Sequence, residues 1–200
     1  MTSRFAFGAL AGAAVLASAA SAGVTVTTNK ALWTYRVTSG GQTVGTETFD
    51  AFGGIYTTPI SGTLGSTYWT ASADQGLFAT GGLIQTLQDA KTLVFTFSPG
   101  VRAVAGNIFA TDATATPITS VVNVTLSDGT AYTGTATKLT DFVGFYSSTA
   151  NISTLSITVQ GTPGSGVRAS IDNLYLAIPA PGAAALVGMA AFASRRRRNA

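Results

Sequence analysis

A chain of 200 residues with only 10% charged side chains, no Cys and no His suits one domain with a sizeable core. It excludes disulfides, thiolate chemistry, Ser-His-Asp triads and His-ligated zinc. The net charge of +3 belongs to the ends, since Arg4 and Arg195 to Arg198 are five of the eleven basic residues, and between Gly23 and Ala177 six basic residues face all eight acids. The part that folds therefore has no nucleic-acid footprint.

The first stretch, "MTSRFAFGALAGAAVLASAASAG", has one early cation, Arg4, and an apolar run from Phe5 to Ala17. Ala20-Ser21-Ala22 then fits the small-residue rule for signal peptidase, so residues 1–22 read as a signal peptide and Gly23 as the mature start. A spanning helix would need about 20 apolar residues, and this run is shorter.

Residues 23–177 read as one strand-rich domain with no internal repeat and no Pro-rich linker. "NKALWTYRV", 29–37, is the one helix candidate, with Asn29 as N-cap. Strands are expected near 24–28, 43–50, 66–73, 76–80, 91–98, 101–110, 118–127, 130–138, 142–147, 152–160 and 167–177. The clearest alternate strictly: Leu93, Phe95 and Phe97; Val122, Val124 and Leu126; Leu155, Ile157 and Val159. Asp128-Gly129 marks a two-residue type I′ hairpin. The last strand changes phase. Val167, Ala169 and Ile171 share one face while Leu174 and Leu176 share the other, so a bulge or bend is expected at Asp172 or Asn173. Many short strands joined by turns point to an all-β fold, an antiparallel two-sheet β-sandwich of jelly-roll type, with a signal helix before it and a short hydrophobic helix after it.

The chain closes on "IPAPGAAALVGMAAFASRRRRNA", 178–200. Its apolar part, Gly182 to Ser194, is too short to span a membrane, and Pro179 and Pro181 disfavour its extension backward. The arginines would stay cytoplasmic under the positive-inside rule. This arrangement of Ile178, Pro179, Ala180 and Pro181, an apolar stretch, and Arg195, Arg196, Arg197 and Arg198 resembles the PEP-CTERM sorting signal of Gram-negative and related bacteria. Ala180 stands where that motif usually has Glu, as in planctomycete-type "PAPG" variants. The resemblance covers about 23 residues. It implies an exosortase-type enzyme and signal peptidase as partners, transient membrane contact through the tail, and a final place at the cell surface, outer membrane or extracellular matrix.

"IDNLYL" (171–176), "TETFDAF" (46–52), "VTLSDGTAYTG" (124–134) and "FVGFYSS" (142–148) resemble strands of jelly-roll carbohydrate-binding modules. That resemblance implies a structural calcium at Asp172, with Asp50 as the acid to meet it; a turn-forming role for Asp172 and Asn173 is the alternative. The cofactor list is otherwise empty. Trp33, Tyr35, Tyr56, Tyr68, Trp69, Tyr132, Tyr146 and Tyr175 are candidates for stacking on sugar rings or for the core. The sharper stacking candidates are Tyr68 and Trp69, which are adjacent in a strand and so point to opposite faces, leaving one of them exposed. No catalytic residue is assigned. Glu47 and Asp50 are the one close acidic pair, and on a regular strand they point apart. There is no P-loop, dinucleotide fingerprint or nucleophile elbow. The expectation is a secreted, non-catalytic surface or matrix protein, polysaccharide-associated or adhesive. The alternative is an extracellular carbohydrate-active enzyme using Glu47 and Asp residues.

Overall fold

The computed structural model describes residues 23–179. The signal segment 1–22, with Ala20 and Ala22, and the tail from Ala180 through Pro181 to the arginines lie outside the described residues. Within them the chain runs β1 (Thr25–Thr27), α1 (Lys30–Ser39), β2 (Gln42–Glu47), β3 (Gly54–Tyr56), β4 (Ile60–Leu64), β5 (Thr67–Ala73), β6 (Leu77–Thr80), β7 (Leu83–Thr86), β8 (Leu93–Phe97), β9 (Ala103–Thr111), β10 (Pro117–Ile118), β11 (Ser120–Leu126), β12 (Ala131–Ala136), β13 (Phe142–Tyr146), β14 (Thr154–Val159) and β15 (Arg168–Pro179). Among the described residues no helix is long and apolar enough to cross a membrane.

The strands form two antiparallel sheets packed as a β-sandwich. The nine-stranded sheet follows the order β1-β13-β9-β15-β7-β6-β3, with β10 beside β9 and β2 beside β15. The six-stranded sheet follows β12-β11-β14-β8-β5-β4. The alternation read in the sequence sets which side chains enter the shared core. Leu93, Phe95, Val124, Leu155 and Ile157 are buried from one sheet, and Val104, Ile108, Phe145, Ile171 and Leu174 from the other. β3, β4 and β7 were not expected. β3 is three residues long, β7 is buried at every position, and β4 carries Gly62 where its apolar alternation should continue.

A second, smaller core lies on the outer face of the larger sheet, where α1 packs. Asn29 caps α1 through its side-chain oxygen, which accepts the N–H of Leu32 at 3.0 Å. Trp33 and Val37 face inward onto Ala103, Ala105, Phe142, Tyr175 and Ala177. The small residues of the sheet let the helix approach. A Cβ on Gly144 would stand 2.6 Å from Cδ1 of Trp33, so the indole requires glycine there. Trp33 also donates its Nε1–H to the carbonyl of Phe145 at 2.9 Å, tying helix to strand.

β15 pairs with β9 along most of its length, and the register shifts between Asp172 and Leu174. Asn173 is the extra residue, with φ 55°, the left-handed region that Asn tolerates better than most. The bulge turns Leu174 and Leu176 onto the same inner face as Ala169 and Ile171, as the phase change required. The β11–β12 hairpin differs from expectation. The N–H of Leu126 bonds the carbonyl of Thr130, the N–H of Gly129 bonds the carbonyl of Leu126, and Gly129 has φ 85° while Asp128 has negative φ. This is a three-residue loop, a type I turn closed by a left-handed glycine, rather than a two-residue type I′ turn. Asp128 stabilises it by accepting from the N–H of Thr130 at 2.9 Å.

Candidate functional site

Most acids serve their own backbone. Asp112 Oδ1 accepts the N–H groups of Thr114 and Thr116 and the Thr114 hydroxyl. Asp89 accepts from the N–H of Gly166. Asp74 pairs with Lys91 at 2.7 Å, the one ion pair among the described residues. These contacts favour the ionised form, so all three carboxyls are held below the ordinary Asp value: Asp74 chiefly by the Lys91 hydrogen bond, Asp89 by the Gly166 amide, and Asp112 by the Thr114 hydroxyl. Glu47 ends β2, and its Oε1 accepts the N–H of Phe49 at 3.1 Å. Asp50 accepts the Thr48 hydroxyl at 2.7 Å. Glu47, the acid named in the alternative reading, and Asp50 thus brace one turn.

Asp50 and Asp172 are carried by neighbouring strands, Asp50 just past the end of β2. β2 lies beside β15, with Glu47 opposite Leu174, and Asp172 lies opposite Leu83 of β7. Asp50 Oδ1 and the Thr48 carbonyl both border Gly82, next to Leu83. Burial first, and the Asp50 charge after it, raise the Asp172 carboxyl above the ordinary Asp value, while the neighbouring Asn173 amide partly offsets both. Among the described residues no group of three or more acids forms around them. A calcium ion bound here would draw its remaining oxygens from carbonyls, amides and water.

Of the expected stacking pair, Tyr68 stands on the outer face of the smaller sheet and is 48% exposed, whereas Trp69 is 0% exposed. Trp69 is enclosed by Phe49, Phe52 and Phe95 and is withdrawn as a stacking residue, because odd positions of β5 face the core.

A groove of about 450 Å³ lies at the sandwich edge between β12 and β13. Ile108, Val122 and Val143 form its apolar floor; Lys30, Lys138 and Tyr132 border it. Tyr132 and Gly134 share the inner side of β12. A Cβ on Gly134 would fall 2.6 Å from Cζ of Tyr132, so the hydroxyl end of the phenol ring occupies the space a side chain there would need. Lys30 Nζ donates to the Tyr175 hydroxyl at 2.7 Å, which in turn donates to Asn107 at 2.9 Å. Asp141, also on the rim, is occupied by the N–H groups of Thr137 and Lys138. Lys30 and Lys138 were not singled out in the sequence. They lie 108 positions apart, and only the fold brings them together.

A second hollow, about 360 Å³, is bordered by Gly40 and Gly41 after α1, Arg102, Tyr146 and Pro179. Here β15 ends. Ile178 and Pro179 still pair with Thr43 and Gln42 of β2, so the first half of the Pro motif is part of the sheet.

No family model matches this chain, and no curated protein does. Among solved structures, a protein described as "Carbohydrate binding module family29" is similar to it at 12% identity, with a TM-score of 0.34, covering 67% of this chain and 88% of that one.

Proposed function

We propose that this is a secreted, non-catalytic β-sandwich, sorted to a bacterial cell surface or extracellular matrix, where it holds polysaccharide or adheres to neighbours. The observation that carries the reading is the pairing of ends: a leader closing on Ala20-Ser21-Ala22, and a Pro motif, apolar stretch and Arg cluster at residues 178–200. The domain between them supports a binding role. Most of its carboxylates are spent on turns, backbone amides or the Lys91 ion pair, and among the described residues no pair of them flanks the groove, whereas glycoside hydrolysis needs two carboxyls across a bond. A structural calcium at Asp172 and Asp50 belongs to the same proposal.

Expression of the full chain and of a chain lacking residues 178–200 in a host with an exosortase-type enzyme tests the sorting. The full chain is expected on the surface and the truncated one in the medium. Equal surface retention of both would overturn it. A calcium-dependent rise in Tm that is lost in Asp172→Asn is expected if the ion binds. An unchanged Tm removes calcium from the proposal.

A further inference from the structure

We propose that the groove between β12 and β13 is a subsite for an acidic sugar unit, a uronate within a polysaccharide. This rests on the polysaccharide-binding reading above and gives it a place and a charge. The domain has a net deficit of basic residues, yet two of its six cations border one groove. Neither is paired to a carboxylate among the described residues. Lys30 spends one donor on Tyr175, and an ammonium has three, so two remain for a ligand. Its position is fixed at both ends, by the start of α1 and by Tyr175, whose ring lies 4.0 Å from Nζ. Lys138 follows β12 and is exposed. The one acid on the rim, Asp141, already accepts two backbone N–H groups, which turns its charge toward its own loop.

Charge alone would suit any anion. Tyr132 narrows the class. The tip of its ring reaches over Gly134 and the side chain borders the groove, where an aromatic ring offers apolar surface to a pyranose and the phenol oxygen a polar handle. The rim hydroxyls of Thr135 and Thr140 match sugar hydroxyls. The combination fits a ring with a carboxylate on one side. The groove is open at the sandwich edge, so a polymer passes through without needing an end.

The test uses the full chain in mild detergent and isothermal calorimetry with three probes: polygalacturonate, its methyl ester and neutral mannan. Polygalacturonate is expected to bind, weakening as salt is raised. The methyl ester, which lacks the charge, is expected to bind more weakly. Lys30→Met with Lys138→Met is expected to lose roughly tenfold or more in affinity, as two charge-assisted hydrogen bonds disappear. Lys138→Glu alone, at an exposed position, is expected to lose affinity with Tm unchanged, which separates binding from folding. Gly134→Ala, by lifting Tyr132, is expected to weaken polygalacturonate and its ester alike. Equal binding of acid and ester, or full affinity in the lysine variants, would overturn the subsite. Mannan binding that ignores all three changes overturns the subsite while leaving the polysaccharide reading. Absence of binding to every probe overturns both.

Discussion

The two tryptophans are both fully buried, but they differ in one atom's surroundings, and that difference is measurable. Trp33 Nε1–H donates to the Phe145 carbonyl at 2.9 Å. Trp69 Nε1 is buried without a partner among the described residues. Trp→Phe at either site removes a similar amount of packed ring, costing about 1–2 kcal/mol in transfer and cavity terms. At Trp33 the change also removes the Nε1–H bond to the Phe145 carbonyl, adding roughly 0.5–1.5 kcal/mol. At Trp69 it deletes an unpaired buried N–H and recovers about 1–3 kcal/mol of desolvation. Trp33→Phe is therefore expected to destabilise by about 1.5–3.5 kcal/mol, and Trp69→Phe to lie within about 1 kcal/mol of the parent. At about 2–4 °C per kcal/mol for a domain of this size, the two Tm values separate clearly. Urea denaturation with matched m-values is the assay. Equal losses, or a larger loss at Trp69, would refute the reasoning. A third arm sharpens it. A Cβ on Gly62 would sit 2.6 Å from Cζ2 of Trp69, so Gly62→Ala should cost about 1–3 kcal/mol by overpacking. In the Trp69→Phe background, where Cζ2 is gone, the cost should shrink, giving a favourable coupling of roughly 1–2 kcal/mol.

Deleting Asn173 is expected to preserve folding, measured as a cooperative urea transition, because a regular strand without the extra residue keeps Leu174 and Leu176 on the core face with Ile171; loss of the folded chain would refute the bulge reading. Asn173→Val keeps the count but places a β-branched residue at φ 55°, an expected loss of about 1–2 kcal/mol by urea titration. The depressed carboxyls of Asp74, Asp89 and Asp112 contribute stability that is present above the unfolded Asp value and lost as pH falls through their folded values, so the urea midpoint should drop below about pH 4. Asp112→Asn should flatten part of that drop. Asp172 has the opposite sign. Its raised carboxyl contributes stability below about pH 4 that fades as pH rises, so Asp172→Asn should compare better with the parent at pH 7 than at pH 4.

Where local pattern carried the information, the sequence was readable. The phase change between Ile171 and Leu174 located the bulge, and Asn29 before an apolar turn located the helix start. β4 escaped because Gly62 interrupts its apolar face. That glycine is there for Trp69, seven residues on, and only the packed structure relates the two. β7 escaped because a strand buried on both sides has no alternation. That the strand leading to Asp50 lies beside the last strand was anticipated, and β2 does pair with β15. The groove did not follow from any window of sequence. Tyr132 appeared as one aromatic among eight, and its use depends on Gly134 two positions later, while Lys30 at the start of α1 and Lys138 after β12 border one groove from distant parts of the chain.

The helix α1 also acts as a ruler. Its first residue, Lys30, opens the groove, and its far end, at Gly40 and Gly41, borders the hollow where β15 finishes at Pro179. Ten helical residues span about 15 Å. Because Ile178 and Pro179 are still laddered to β2, the chain leaves the domain from a fixed point instead of a slack tether. The lysine-bordered groove and the end of β15 are thereby held about a helix-length apart, at opposite ends of α1.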